Sequence, residues 1–529
     1  MAEPGLYEQL LRRARLSATK PPHPSAAVVP WRRIDDTVEV YWVRRNPTLR
    51  FMGGWWAFPG GGLDRGDAAR PITGMPTGVD DESLHPPSPE RSDTTMTDPD
   101  LVPGLLACAA RELFEEVGLL LDPRSIHAHP HHDEPHQLRA ARLQLEAGKK
   151  TFGDLLIERG WSLTADELVF AGRWLTPPFA PRRFDNRFFL LEWPLDRAVQ
   201  PAVDGGELVE GEWIRPTDAI DRWHRGDVTT APPILHILRV LASDGPEAGL
   251  ARLRDTRDAN LGTFRHIEFR PGILTFPLIT PTLPPAVGTN CYVVGTEHAV
   301  VVDPACADAD EALRLTEALE EAAHRGHTVK AIWLTHHHPD HIGGVEHLRE
   351  RLELPVLAHR ESEPALLRQG IRLDAHLEDG SRHDVGAGHL RVVHTPGHAR
   401  GHLAFFHEPT KSLLCGDLAS TLSTIVIDPP EGDMDAYLHS LEHAASLGPE
   451  VLMPAHGPIV LGATHRLRTL RAHRLDREAK ILEAFRAGAT TAEAMVATVY
   501  DDVPSPLHGV ALRQIEAHLD RLKRLGELA

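Results

Sequence analysis

The chain has 529 residues, 42% of them hydrophobic and 25% charged, with a formal net charge of -19. That length supplies about three or four domains with real cores, and no uninterrupted apolar run reaches the roughly 20 residues that cross a bilayer. The acidic balance argues against a protein that coats nucleic acid over much of its surface. Cys108, Cys291, Cys306 and Cys415 lie far apart and form no C-x-x-C pair, so neither a disulfide framework nor a structural zinc knuckle is indicated. Met1-Ala-Glu-Pro-Gly5 lacks the basic segment and apolar core of a secretory signal, and the chain reads as cytoplasmic.

Residues 26–30 and 38–43 read as two strands separated by the mostly polar stretch 32–37. Trp55-Trp-Ala-Phe-Pro-Gly-Gly-Gly-Leu-Asp-Arg-Gly-Asp67 follows, and Gly60 and Gly61 suit a loop whose backbone comes close to a phosphate ligand. A helix over 105–117, closed by Gly118, puts Glu112, Glu115 and Glu116 at i, i+3 and i+4 on one face. Such a cluster is most often a solvated acidic face. Here, however, Arg111-Glu112-Leu113-Phe114-Glu115-Glu116-Val117-Gly118-Leu119 matches the R-E-U-x-E-E-x-G-U signature at every position and resembles the Nudix hydrolase family.

The resemblance implies that this helix holds Mg²⁺ or Mn²⁺ between Glu112, Glu115 and Glu116 and the pyrophosphate of a nucleoside diphosphate derivative, with Arg111 orienting the carboxylates. The sequence departs from the signature twice. Asp67 stands where the pattern has Glu, which suits it to a supporting role. Between Asp67 and Arg111 lie 43 residues where the signature has seven. The extra stretch, about residues 68–104, is acidic and Pro-rich over 79–93 and is expected not to pack. A box split here resembles the Nudix branch of the peroxisomal coenzyme A diphosphatase type, as do Trp174-Leu-Thr-Pro-Pro178 and Arg183-Phe-Asp-Asn-Arg-Phe-Phe-Leu190. Coenzyme A is the substrate this implies. Other nucleoside diphosphate derivatives, or binding without cleavage, remain open.

A run over 231–241 reads as the last helix of this domain, placing the Nudix domain at 1–250 and a linker at 251–262. From Gly272 the alternating stretches 273–278 and 290–303 predict a hairpin. Ala331-Ile-Trp-Leu-Thr-His-His-His-Pro-Asp-His-Ile-Gly-Gly344 then reads as a buried strand running into a turn with H-x-H-x-D-H spacing. Imidazole and carboxylate are ligands that zinc prefers, and alternate residues of an extended turn point the same way, so His336 and His338 can share one ion while Asp340 and His341 face a second position. The chain has 33 histidines, and the cluster His127-Ala-His-Pro-His-His132 is read as solvated. The 336–341 group differs because a strand precedes it and later apolar runs lead into His398, Asp417 and His456.

These residues resemble the metallo-β-lactamase superfamily. The resemblance implies two Zn²⁺ or other divalent ions, one on His336, His338 and His398, the other on Asp340, His341 and His456, with Asp417 bridging and Asp303 supporting from behind. It also implies hydrolysis without a protein nucleophile, Asp340 counting among the catalytic residues. The predicted metallo-β-lactamase domain covers 263–463. Residues 464–529 read as helical, with Thr491 capping a short helix and Leu512, Ile515, Leu519 and Leu522 forming a stripe. They resemble the winged-helix tail of the β-lactamase-like protein 2 family.

The fold expected is α/β throughout: a Nudix α/β/α sandwich, an αββα sandwich and a small winged-helix-like tail. The expected function is thioester or small-ester hydrolysis at the histidine centre and pyrophosphate hydrolysis at the glutamate helix, with small-molecule substrates and no membrane partner. The alternative is cleavage of single-stranded RNA, with a Nudix domain that trims or senses nucleotides.

Overall fold

A computed structural model describes residues 22–49, 52–67, 69–78, 101–123, 135–176, 182–197, 199–255, 267–283, 285–503 and 507–528. They fall into two compact units, within Thr19–Thr263 and within Phe264–Ala529. Among them no helix is long and apolar enough to cross a membrane. The histidine cluster at 127–132 and the acidic stretch 79–93 lie outside the described residues.

In the first unit, strand His23–Ile34 pairs antiparallel with Thr37–Arg45 and parallel with Phe184–Glu192. Successive side chains leave a strand on opposite faces. Ala26 and Val28 therefore join Tyr41, Val43, Leu105, Leu113 and Phe114 in one core, while Ala27, Val29 and Trp31 join Val40, Trp42, Trp223 and Leu238 in another. Helix Leu101–Val117 covers the first face and helices Pro216–His224 and Pro232–Ala248 the second, giving an α/β/α sandwich.

Three boundaries move. The glutamate helix begins at Leu101 rather than 105, inside the expected insertion, because Leu101, Leu105 and Ala109 continue its apolar stripe. Ile72–Thr73 also pairs with Leu163–Thr164, so the inserted stretch 68–104 contributes to the fold at both ends. The helix over 231–241 is not the last of its domain. Leu250–Arg254 forms another, with Leu253 buried and Arg254 Nε donating to the Phe170 carbonyl at 2.9 Å, so the expected linker starts too early.

The second unit stacks two sheets. One runs from Ile267–Arg270 through Ile273–Ile279, Gly288–Val294, Ala299–Val302, Val329–Trp333 and Val356–Ala358 to Ala375–His376. The other runs from Arg382–Asp384 through His389–His394, Leu403–His407, Ser412–Gly416 and Val451–Pro454 to Val460–Leu461. Trp333 of the first meets Phe405 of the second with ring centroids 5.2 Å apart. Helices Ala309–His324 and Val345–Leu352 cover the outer face of one sheet, and Met434–Ser446 and Ala463–Arg486 that of the other. This is the expected αββα sandwich.

Helices Ala492–Val499 and His508–Arg524 close a small core with Ile481, around Met495, Val499, Ile515 and Leu519. Helix Ala463–Arg486 runs unbroken from the sandwich into this tail. No strand follows Val460–Leu461 among the described residues, so the tail shows winged-helix helices without a wing there.

Candidate functional site

The histidine centre forms where strands from both sheets end. Val329–Trp333 delivers His336, His338, Asp340 and His341, and Ala299–Val302 delivers Asp303 beside them. His389–His394, Ser412–Gly416 and Val451–Pro454 of the other sheet deliver His398, Asp417 and His456. The ligand-type atoms of His336, His338 and His398 lie within 4.8 Å of one another, as do those of Asp340, His341 and His456. Asp417 stands between the groups: Oδ2 is 3.4 Å from His398 Nε2, while Oδ1 is 3.3 Å from His456 Nε2 and 3.7 Å from His341 Nε2.

Backbone and side-chain oxygens fix which ring nitrogen enters the centre. His398 Nδ1–H donates to the Val426 carbonyl at 2.7 Å and His456 Nδ1–H to the Gly288 carbonyl at 3.1 Å. His341 Nδ1–H donates to Asp303 Oδ2 at 2.8 Å. Thr335 gives its hydroxyl proton to the same oxygen at 2.7 Å, and its Oγ1 accepts from His336 Nδ1–H at 3.0 Å. Each turns its Nε2 inward, the orientation that outer partners impose on metal-binding histidines. His338 instead presents Nδ1, 2.9 Å from the Nε2 atoms of His336 and His398.

The residues fit a pair of divalent cations. His341 Nε2 and Asp417 Oδ1 are buried without a hydrogen-bond partner, which is costly in a closed fold unless a cation takes them up. Burial and neighbouring rings hold His336 and His338 well below the ordinary histidine range, so both offer lone pairs. Burial also opposes protonation of His341, but Asp303, Asp417 and Asp340 outweigh it and push it up to about 10, a proton that a bound cation would displace.

The sequence reading missed two side chains. Thr335, read as a strand residue, links Asp303 to His336. His402, fully buried, accepts the Asp417 backbone N–H on Nε2 at 2.9 Å and meets Thr395 Oγ1 through Nδ1 at 2.8 Å, setting Asp417 from behind. Its place before the apolar run 403–406 was the only hint. The carbonyls of Val426 and Gly288 carry no signal in sequence.

In the first unit, Arg111 matches five guanidinium N–H groups to five acceptors. They are Asp67 Oδ1 at 2.9 Å, Asp67 Oδ2 at 3.0 Å, the Gly62 carbonyl at 3.1 Å, Glu112 Oε1 at 2.8 Å and Glu115 Oε2 at 3.0 Å. Asp67 is fully buried and also pairs with Arg70. Burial raises Glu112 and Glu115, and burial with the Glu112 charge pushes Glu116 up to about 8. The three glutamates are hard oxygen donors on one helix face, a fit for Mg²⁺ or Mn²⁺. They do not form a cluster within 4.8 Å as the histidines do.

The expectation of a phosphate loop at Gly60 and Gly61 is corrected. Gly60–Gly62 is a short strand on His23–Ile34, and the Gly60 N–H donates to Glu116 Oε2 at 2.8 Å. Glycine is needed for closeness: a Cβ on Gly61 would lie 2.3 Å from Glu112 Oε1, and one on Gly60 would lie 2.5 Å from the Ala26 carbonyl. Gly60→Ala is therefore expected to destabilise the first unit by about 1–3 kcal/mol, the cost of overpacking against backbone. Gly61→Ala, whose nearest obstacle is the Glu112 carboxylate rather than backbone, should lower the melting temperature less than Gly60→Ala and weaken Mg²⁺ binding. Thermal melts and Mg²⁺ titrations of both variants check this.

The family model described as "Metallo-beta-lactamase superfamily" matches residues 284–456, "NUDT19 Nudix domain" residues 16–241, and "Beta-lactamase associated winged helix domain" residues 491–528. The chain is 28% identical over 279 residues to "Lactamase-like protein adaB" of Aspergillus niger, covering 50% of this chain and 80% of that protein. It is 24% identical over 245 residues to "Beta-lactamase-like protein 2 homolog" of Caenorhabditis elegans, covering 45% and 80%. With "Atrochrysone carboxyl ACP thioesterase" of Passalora fulva the identity is 27% over 263 residues, covering 48% and 72%. Among solved structures, a Nudix hydrolase from Alicyclobacillus acidocaldarius is 29% identical, covers 44% of this chain and 95% of its own, and has a TM-score of 0.36. The chain is a hydrolase that joins a Nudix domain of the NUDT19 type to a metallo-β-lactamase superfamily domain and its associated winged helix.

Proposed function

We propose that the histidine centre holds two Zn²⁺ or other divalent ions and hydrolyses a thioester or small ester. We propose further that the Nudix site, with Mg²⁺ or Mn²⁺ on Glu112, Glu115 and Glu116, cleaves the pyrophosphate of a nucleoside diphosphate derivative, coenzyme A among them. The observation that carries the first reading is Asp417, whose two oxygens face two different ligand groups. Cations bound there would polarise the acyl group and supply a nucleophile from water at neutral pH. The chain's own part is to keep four Nδ1 protons on Val426, Gly288, Asp303 and Thr335, so that the ring nitrogens facing the centre stay available. In the net reaction water adds to the acyl carbon, the C–S bond breaks and the thiol leaves with a proton.

Thioester as the substrate class draws support from the relatives named as acyl-carrier-protein thioesterases. Coenzyme A draws on the split Nudix box, and it would give both centres one metabolite. A second reading, cleavage of single-stranded RNA, draws on the winged-helix match. Against it, basic residues of the tail are already paired within the chain: Arg477 with Asp502, Arg513 with Asp428, Arg521 with Asp435 and Arg524 with Asp433.

The test is a mass-resolved product analysis of an acyl-coenzyme A incubated with the Zn²⁺- and Mg²⁺-supplied chain. Free coenzyme A plus carboxylic acid, lost in Asp417→Asn, is the result expected of the histidine centre. Acyl-phosphopantetheine plus adenosine bisphosphate, lost in Glu116→Gln, is that expected of the Nudix helix. Neither product, with labelled single-stranded RNA cut instead, would overturn the thioester reading.

A further inference from the structure

The loop between Ser412–Gly416 and helix Met434–Ser446 carries Val426, whose carbonyl receives the Nδ1 proton of His398 at 2.7 Å. Ile425 and Ile427 on either side are buried in the same core as Leu467, Leu470 and Ala517 of the tail helices. The Ile425 carbonyl accepts from Arg474 Nη2 and from Gln514 Nε2, the latter at 3.3 Å, and Arg474 Nη1 donates to Gln514 Oε1 at 2.9 Å. Beyond Val426, Arg513 reaches Asp428 Oδ1 at 2.5 Å and the Pro429 carbonyl at 2.6 Å. Helices Ala463–Arg486 and His508–Arg524 thus grip the loop on both sides of the one carbonyl that orients His398.

Arg474 is an unusual means of stabilising a fold. It is 4% exposed, and among the described residues no carboxylate pairs with it; its partners are a carbonyl, an amide oxygen and the Tyr437 ring, 5.3 Å from the guanidinium carbon. An uncompensated buried charge costs more than an apolar side chain of similar volume. What the pair achieves in exchange is a fixed Ile425 carbonyl, one residue from Val426.

We propose that Arg474 and Gln514 are positioning residues of the histidine centre: the winged helix sets the aim of His398, and so the cation affinity of the His336/His338/His398 group, through the Val426 carbonyl. The tail then completes a metal site to which it contributes no ligand. The inference rests on His398 being a metal ligand, and the experiment separates failure of that assignment from failure of the positioning role.

The informative variant is Gln514→Glu in the full chain. It gives the buried Arg474 a carboxylate but removes the donor to the Ile425 carbonyl and sets two oxygens against each other. A merely structural role predicts an unchanged or raised melting temperature and unchanged cation binding. The positioning role predicts cation affinity at one of the two sites lower by about 10- to 100-fold, the range for loss of an outer partner of a ligand. Chelator competition on the zinc-loaded chain and the visible absorption of the cobalt-substituted chain read this without any substrate. Arg474→Met should repeat the effect, and Arg468→Ala, which removes only an exposed tail contact with Glu442 at 3.8 Å, should not. His398→Ala is the reference and should lose one cation. If it does, while Gln514→Glu and Arg474→Met bind both cations with wild-type affinity and cobalt spectrum, the positioning role is wrong. If His398→Ala keeps both, the ligand assignment fails and the inference with it.

Discussion

Asp417→Asn is expected to abolish hydrolysis at the histidine centre, by at least ~10³-fold in kcat/KM, the scale seen when one member of a group that acts as a unit is removed. The amide keeps the size and most of the packing of the carboxylate. It replaces one of the two anionic oxygens with an N–H donor, so only one of the two ligand groups that Asp417 faces, that of His398 at 3.4 Å or that of His456 at 3.3 Å, keeps an oxygen to share with a cation. The Asp417 backbone N–H remains on His402 and the four Nδ1 anchors are untouched, so the fold should survive. Pyrophosphate cleavage by the Nudix domain should be unchanged, which makes it an internal control. Steady-state kinetics of both reactions on one preparation would measure the separation; equal losses of both would mean misfolding rather than loss of a bridge.

Arg111→Leu is expected to cost the first unit about 3 kcal/mol, the low end for breaking a buried ion pair, because the buried Asp67 then keeps only one of its two guanidinium partners, Arg70, beside the Asp64 N–H. For a unit of this size that is a fall of roughly 10 °C in its transition. Nudix activity should be lost with it, since Glu112 and Glu115 lose the guanidinium that holds both. Arg111→Lys should recover little, because an ammonium is a point charge with three donors and five acceptors need filling. Calorimetry of the full chain checks this. A shift below about 2 °C would show that Arg70 and the Asp64 N–H suffice for Asp67, and a matching shift in the second unit would show the effect is not local.

The ligand runs were legible in sequence because each is an apolar strand followed at once by a ligand-type residue, and strand ends are where a sandwich exposes such groups. The Nudix helix was legible because Arg111 to Leu119 matches the signature at every position, with the three glutamates at i, i+3 and i+4. Where reading fell short, the cause was tertiary. Gly60–Gly62 resembles a loop by composition, but edge pairing with Ala26 and Ala27 makes it a strand, and the Gly60 N–H serves Glu116. Leu250–Arg254 is too short to declare itself and is held by Leu253 packing and the Phe170 carbonyl. Gln514 and Arg474, 40 residues apart, meet only because two tail helices converge on one loop.

Metal analysis after equilibrium dialysis against Zn²⁺ tests the central claim most directly, with the wild-type chain beside Asp417→Asn and beside Asp417→Asn combined with Glu116→Gln. A centre bridged by Asp417 predicts two zinc ions bound tightly per wild-type chain and no more than one in Asp417→Asn, with Glu116→Gln adding no further loss. One zinc ion per wild-type chain, or two retained after Asp417→Asn, would contradict it.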